Sequence, residues 1–84
     1  MKVHDQDSMI RWLSKAKKGE KVIYYDGMLM ADKERFYING GTTDKLPGPM
    51  QAARVAWSAY MNDEVHLIQK RKGFLNYEYI AVCA

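Results

Sequence analysis

Few side chains in this 84-residue sequence are of the types that carry out catalysis or hold metals. Besides scattered serines and carboxylates, they are two histidines, His4 and His66, and one cysteine, Cys83. A serine nucleophile needs a histidine base that a third group orients, and a metal site needs several ligands at a suitable spacing. Neither pattern is present, and the carboxylates are scattered with no pair at a spacing typical of acid–base catalysis. We therefore predict a protein that is not an enzyme and has no cofactor.

The basic side chains are more informative because they form two regular features. One is a stripe on a predicted helix, and the other is a run within the last quarter of the chain. The stripe consists of Arg11, Lys15 and Lys18, and the run consists of Lys70, Arg71 and Lys72. With a net charge of +3, the chain is compatible with a polyanionic partner. Basic helix faces are common, so a solvated face is the first interpretation of the stripe, and a phosphate contact is the alternative.

Composition favours one small packed domain covering residues 1–84. The hydrophobic fraction is 48% and the aromatic fraction 12%, which is typical of a globular core. No apolar run approaches the roughly 18 residues that a membrane-spanning helix needs, and the first residues are polar, unlike a secretory leader. We expect a cytoplasmic protein in which Cys83 is a small apolar strand residue and not a reactive thiol.

The element that carries the stripe is a predicted helix over Ser8–Lys18. Asp7 or Ser8 would cap its start, and Gly19 would follow its end. Four apolar side chains fall on the face opposite the stripe and form a candidate contribution to the core. These are Met9, Trp12, Leu13 and Ala16.

A short β-branched and aromatic run, Glu20–Tyr25, predicts a strand that ends at Asp26-Gly27. Two continuations compete. Asp-Gly is a strong hairpin signal that would pair this strand with Met28–Ala31. Alternatively, Met28–Phe36 forms a short helix, which its Met, Leu, Ala, Lys, Glu and Arg content favours. The glycine- and proline-rich stretch Tyr37–Pro49 is expected to be a loop.

The second main helix is predicted over Pro49–Asn62, with the proline at its first position. Its broad apolar face comprises Ala52, Val55, Ala56, Ala59 and Tyr60. The small alanines on this face indicate that another helix or strand approaches closely. A narrow polar face carries Gln51, Arg54, Ser58 and Asn62. A further strip of Met50, Trp57 and Met61 is either covered by the loop and the first helix or left free for a partner.

The remaining residues predict a β-hairpin with a basic tip. Its arms are Val65–Lys70 and Leu75–Val82, and the tip is Lys70–Gly73. Alternation places Val65, Leu67, Tyr77 and Tyr79 on the core face, while Ile68, Ile80 and Val82 form a second, partly covered side.

This order of elements resembles a small winged-helix domain, an α+β fold of helix, strand, short helix, helix and β-hairpin. The short chain rich in Met and Tyr is also similar in style to accessory proteins of bacteriophages and mobile elements. The resemblance implies that Pro49–Asn62 is a recognition helix and Lys70–Gly73 a wing. Gln51, Arg54 and Ser58 would then face base edges, while Lys70, Arg71 and Lys72 would hold phosphates.

Two functional hypotheses follow. The first is a regulator that binds nucleic acid, DNA rather than RNA, through the wing, the second main helix and the stripe Arg11, Lys15 and Lys18. The second is a module that modulates a partner protein through Met50, Trp57 and Met61, since Trp and Met are typical interface anchors. The same strip would also serve a homodimer. Neither hypothesis involves a membrane.

Overall fold

The computed structural model describes all 84 residues and has α+β architecture, as predicted. Three α-helices pack on one face of a three-stranded antiparallel sheet with strand order β1-β3-β2. The elements are α1 (Gln6–Lys15), β1 (Lys21–Gly27), α2 (Leu29–Ile38), α3 (Gly48–Met61), β2 (Val65–Gly73) and β3 (Asn76–Cys83), with a 3₁₀ turn at Thr43–Lys45 between α2 and α3. None of the helices combines the length and the apolar character needed to cross a bilayer.

Helix α1 begins earlier than predicted because Asp5 caps it, and it also ends earlier, with Ala16 in extended backbone. The Asp5 carboxylate accepts a hydrogen bond from the Ser8 backbone N–H at 2.8 Å, and Ser8 Oγ accepts one from the Asp5 N–H at 3.3 Å. This reciprocal pair is a capping box that satisfies two free amides. The helix ends at Lys15, so Gly19 belongs to the following turn. The predicted apolar face is confirmed, since Met9 and Trp12 are buried.

The helical alternative after Asp26-Gly27 is confirmed, and the hairpin alternative is wrong. Strand β1 continues to Gly27 and pairs with the distant β3, while the segment that follows it folds as helix α2. Helix α2 runs two residues beyond the predicted end at Phe36. It contributes no fully buried residue to the core, although Leu29 and Phe36 pack against it.

Helix α3 lies within one residue of its predicted bounds, and its alanine face forms the centre of the core. Ala52, Ala56 and Ala59 are buried against α1 and the sheet, which confirms the expected close approach. The face is turned slightly from the prediction, because Ala53 is buried while Tyr60 is 43% exposed.

The predicted hairpin forms, but its tip is not basic. Gly73 pairs with Asn76, so Phe74 and Leu75 make a two-residue turn, with Leu75 in the left-handed region at φ 54°. Strand β2 therefore includes the whole basic run that was expected at the tip. Tight hairpin turns are usually signalled by Asn-Gly or Asp-Gly, and Phe74-Leu75 carries no such signal.

The two faces of the sheet differ as predicted. On the helix side Val65 and Tyr79 are buried, and Leu67 and Tyr77 are partly buried. On the outer face the register aligns Ile23, Ile80 and Ile68 in one row across the three strands. No helix covers this row, so the side chains there remain partly accessible.

Candidate functional site

The groups that could act as metal ligands do not converge in the structure. No three His, Cys, Asp or Glu side chains lie close enough together to hold an ion. Cys83 is half-buried at the end of β3, with Sγ 3.6 Å from the carbonyl oxygen of Ala16. This placement confirms that Cys83 is a strand residue. The surface features with recognisable chemistry are therefore basic residues and exposed apolar residues.

The basic run on β2 is partly neutralised by neighbouring carboxylates. Lys72 Nζ lies 3.2 Å from Asp26 Oδ2 and 3.7 Å from Glu78 Oε2, and Lys2 also reaches Asp26 at 3.2 Å. The hydrogen bonds from Lys2 and Lys72 lower the pKa of Asp26. Lys70 is paired in register with Glu78. Two of the three residues predicted to hold phosphates therefore face acidic groups of their own domain.

The third residue of the run, Arg71, points to the other face of β2. Its Nε donates a hydrogen bond to the carbonyl oxygen of Gly73 at 3.2 Å, which stabilises the end of the strand. No carboxylate pairs with it. The basic run thus presents Arg71 on one side of β2 and, on the other side, Lys72 in ion pairs and Lys70 without one, instead of a continuous positive wing.

The stripe on α1 remains positively charged. Arg11 and Lys15 are exposed on the helix and form no ion pair, whereas Lys18 lies beyond the helix end in the connection to β1. The predicted three-residue stripe is therefore two residues on the helix and one after it.

The residues of α3 predicted to read bases are only partly available. Gln51 Nε2 donates a hydrogen bond to the carbonyl oxygen of Leu46 at 2.7 Å, so this side chain stabilises the chain that enters the helix. Arg54 and Ser58 are exposed. Arg54 is the one basic residue on the helix, whereas helices that read DNA usually carry several.

The predicted strip of Met50, Trp57 and Met61 is divided by the fold. Met50 is 7% exposed and belongs to the core, but Trp57 is 58% and Met61 64% exposed. The Trp57 ring packs against Tyr60 with a centroid distance of 5.4 Å. We call Trp57, Tyr60 and Met61 the α3 patch. A surface tryptophan beside a tyrosine and a methionine has the composition of a protein-binding surface.

Trp57 also forms one wall of a groove of about 870 Å³ between α2 and α3. The floor is the helix-side face of the sheet, contributed by Tyr24, Leu67 and Tyr79. The opposite wall is the start of α2, with Leu29 and Met30. We call this feature the α2–α3 groove. It has the size and apolar lining typical of binding sites.

The groove exists because α2 is attached to the sheet and not packed on α3. The Tyr25 hydroxyl donates a hydrogen bond to Asp32 Oδ2 at 2.7 Å, and the Leu29 N–H donates one to the Tyr79 hydroxyl at 3.1 Å. Burial, together with this bond to Asp32, raises the pKa of Tyr25 well above its usual range. These two bonds hold α2 over the sheet at a distance that leaves the space beside Trp57 unfilled.

The groove residues outside α3 were not predicted as site residues. Leu29, Met30 and Leu67 come from segments that are far apart in the sequence, so no local spacing marks them as one surface. The two methionines of Met28-Leu29-Met30 were the one available signal, because methionine is over-represented at adaptable binding surfaces.

Comparisons with protein-family models, with curated proteins and with solved structures find no match to this chain. Function is therefore inferred from the surface of the molecule, where two features stand out. They are the apolar α2–α3 groove with the adjoining α3 patch, and the unpaired cations of α1.

Proposed function

We propose that this protein is a non-catalytic interaction module that binds a partner protein through the α2–α3 groove and the α3 patch. The observation that carries the proposal is Trp57, which stays more than half exposed at the groove wall although the domain is small and has few large apolar side chains in its core. Tryptophan is among the residues most often found at the energetic centre of protein interfaces.

The neighbours of Trp57 support the same function. Across the groove Met30 is 81% exposed, and on α3 Tyr60 and Met61 extend the apolar surface. Methionine side chains adapt their shape to a partner, while aromatic rings supply rigid contact area. A surface that combines both beside a preformed groove is suited to bind a protein segment.

The experiment is quantitative affinity purification with the wild-type protein and two variants as baits. Trp57→Ala removes the groove wall, and Ile10→Ala removes an exposed apolar side chain of α1 outside the groove. We expect one or more proteins captured by the wild type and by Ile10→Ala to be lost with Trp57→Ala, while circular dichroism shows all three baits folded. Equal capture by all three baits would contradict the proposal.

A second candidate function is nucleic-acid binding, as the winged-helix resemblance implies. It is supported by the exposed, unpaired Arg11 and Lys15 on α1 and by the order helix, strand, helix, helix, hairpin. It ranks second because Lys72 is ion-paired, Gln51 is bonded to Leu46, and Arg54 is the one cation on α3.

A further inference from the structure

The α2–α3 groove opens onto strand β2, which forms a free edge of the sheet. We infer that the groove and this edge receive an extended, acidic segment of a partner protein, which pairs with β2 as a fourth strand. This inference rests on the proposed protein-binding function and adds the conformation and the charge of the bound segment.

Strand β2 is an edge strand because the sheet order is β1-β3-β2. None of the backbone hydrogen bonds outside the helices and the sheet ladders involves a residue of Val65–Gly73. The opposite edge of the sheet is different. The Ile23 N–H donates a hydrogen bond to the Met1 carbonyl oxygen, and the Val3 N–H donates one to the Ile23 carbonyl oxygen, both at 3.0 Å. The first residues of the chain thus cover β1 at Ile23, whereas no segment of the chain pairs with the free edge of β2.

The free backbone groups of β2 belong to residues that also line the groove. The Cys83 N–H donates a hydrogen bond at 2.8 Å to the carbonyl oxygen of Glu20, the residue before β1. Cys83 is the register partner of Val65, so the N–H and C=O of Val65 point away from β3. Because the bonding direction alternates along an antiparallel pair, the backbone groups of Leu67 and Gln69 point away from β3 as well. Both of these residues line the groove.

This arrangement favours a bound strand. In strand addition, hydrogen bonds to an open sheet edge supply affinity, and pockets for alternate side chains supply specificity. One face of the added strand would meet the groove, where Leu67 and Trp57 present apolar surface. Its other face would lie beside Ile68, which is exposed on the outer face of the sheet. We therefore expect apolar side chains on both faces of the bound segment along this half of β2.

The other half of β2 favours carboxylates on the bound segment. Lys70 and Arg71 are exposed on opposite faces of the strand, and neither forms an ion pair. Lys33 on the α2 wall is also unpaired, and no carboxylate lines the groove. A second copy of β2 would bring three more cations and no carboxylate to this edge, so charge favours a different, acidic partner.

These cations would select the partner more than they strengthen its binding. Charged side chains on an edge strand discourage unspecific strand pairing. A segment with carboxylates opposite Lys70 and Arg71 removes this obstacle. From the typical strength of exposed ion pairs, loss of both cations should weaken the binding of an acidic segment on the order of tenfold. The difference should shrink with salt, because both charges face solvent.

The test begins with a selection of random 12-residue peptides, long enough to span the nine residues of β2, displayed on phage against the immobilised full-length protein. Enriched peptides are synthesised and titrated against the wild type and Trp57→Ala. They are also titrated against Gln69→Pro, which removes one outward N–H and no bond to β3. Gln69→Ala is the matched control, because it removes the side chain and keeps the N–H. Circular dichroism checks that each variant is folded.

Two further measurements address the charge and the main-chain bonds. Lys70→Gln/Arg71→Gln removes the two cations of the edge. Its matched control is Lys21→Gln/Lys45→Gln, since Lys21 and Lys45 are exposed, unpaired and outside the groove. Single N-methyl groups placed along the peptide remove its main-chain donors one at a time, and this scan decides the conformation even if the proline variant does not fold.

We expect the selection to enrich peptides with several large apolar residues and with Asp or Glu towards one end. These peptides should bind Gln69→Ala but not Gln69→Pro, and N-methylation should abolish binding at every second position, because alternate amides of a strand face its neighbour. Removing the two cations of the edge should weaken binding about tenfold at low salt, and the control should change it little.

Three results would overturn the inference. Trp57-dependent peptides that tolerate N-methylation at all positions, or that show no preference for acidic residues, would contradict it and leave the proposed function standing. Equilibrium sedimentation that shows a dimer dissociated by Gln69→Pro would assign the edge to a second copy. Failure to obtain any Trp57-dependent peptide would count against both the inference and the proposed function.

Discussion

The backbone N–H of Leu29 donates a hydrogen bond to the phenolic oxygen of Tyr79 at 3.1 Å, joining the first residue of α2 to the central strand. Helix α2 has no side-chain cap and no buried residue. The first amides of a helix lack intrahelical partners, so a tertiary acceptor is needed where no local cap exists. Tyr79 supplies it and thereby fixes one wall of the groove.

We expect Tyr79→Phe to loosen α2. The lost hydrogen bond should lower the free energy of unfolding by about 0.5–1.5 kcal/mol and should speed amide exchange in the first turn of the helix. Tyr77→Phe is the matched control, because the Tyr77 ring lies on the same face of β3 but its hydroxyl makes no hydrogen bond. Hydrogen exchange measured by NMR checks this, and equal protection of α2 in both variants would show that the bond does not hold the helix.

The two tryptophans should respond very differently to truncation. Trp12 is 5% exposed in the core, so Trp12→Ala should destabilise the protein by about 3–5 kcal/mol. Trp57→Ala should cost less than about 1 kcal/mol, because more than half of the side chain already faces water. Urea denaturation of both variants measures the difference. A Trp57→Ala variant as unstable as Trp12→Ala would place Trp57 in the core and remove the basis of the proposed function.

The alanine face of α3 should tolerate no added volume. Ala56 is fully buried, so Ala56→Leu should destabilise the domain by about 1–3 kcal/mol through overpacking. Ala31→Leu on the exposed side of α2 adds the same volume and should change the free energy of unfolding little. Thermal denaturation compares the two variants. An Ala56→Leu variant as stable as the wild type would mean that the core around Ala56 contains unfilled space.

Alkaline pH should unfold the protein in part through Tyr24. Burial raises the pKa of Tyr24 to about 12, whereas an unfolded tyrosine titrates near pH 10. The unfolded state therefore loses this proton first, and stability present below about pH 10 is lost as the pH rises through about 12. Tyr24→Phe should show a smaller loss between pH 7 and 11 in urea denaturation. Some loss of stability with rising pH should persist in Tyr24→Phe, because the pKa of Tyr25 is also raised. A pH dependence of stability identical to that of the wild type would show that Tyr24 is not responsible for the loss.

The second candidate function is checked by binding to a random DNA duplex at low and physiological salt. If the cations of α1 contact phosphates, Arg11→Gln/Lys15→Gln should weaken binding to all sequences alike and reduce the salt dependence by about two phosphate contacts. Lys21→Gln/Lys45→Gln removes the same charge elsewhere and is the matched control.

For the basic run on β2, we expect Lys70→Gln/Arg71→Gln/Lys72→Gln to weaken DNA binding less than the α1 variant does, since Lys72 is already ion-paired. Equal loss per charge removed in all three variants would show that only net charge matters.

Local signals predicted most of the elements. Helix α3 begins beside Pro49 and carries its small residues on the buried face, and α2 follows from the helix-forming residues after Asp26-Gly27. Errors were confined to boundaries and to one turn. The start of α1 moved because Asp5 caps the helix in place of Asp7 or Ser8, and the hairpin tip moved to Phe74-Leu75 because that turn has no characteristic sequence.

The sequence by itself determined the α+β class, helices α1 and α3 and the alternation of the hairpin, because capping, periodicity and residue propensity act over a few neighbouring positions. Tertiary structure alone decided that Met50 is buried while Trp57 is exposed, and that Lys72 meets Asp26. It also decided that a groove separates α2 from α3. These outcomes depend on which distant segments come together, and no spacing within one helix or strand encodes that.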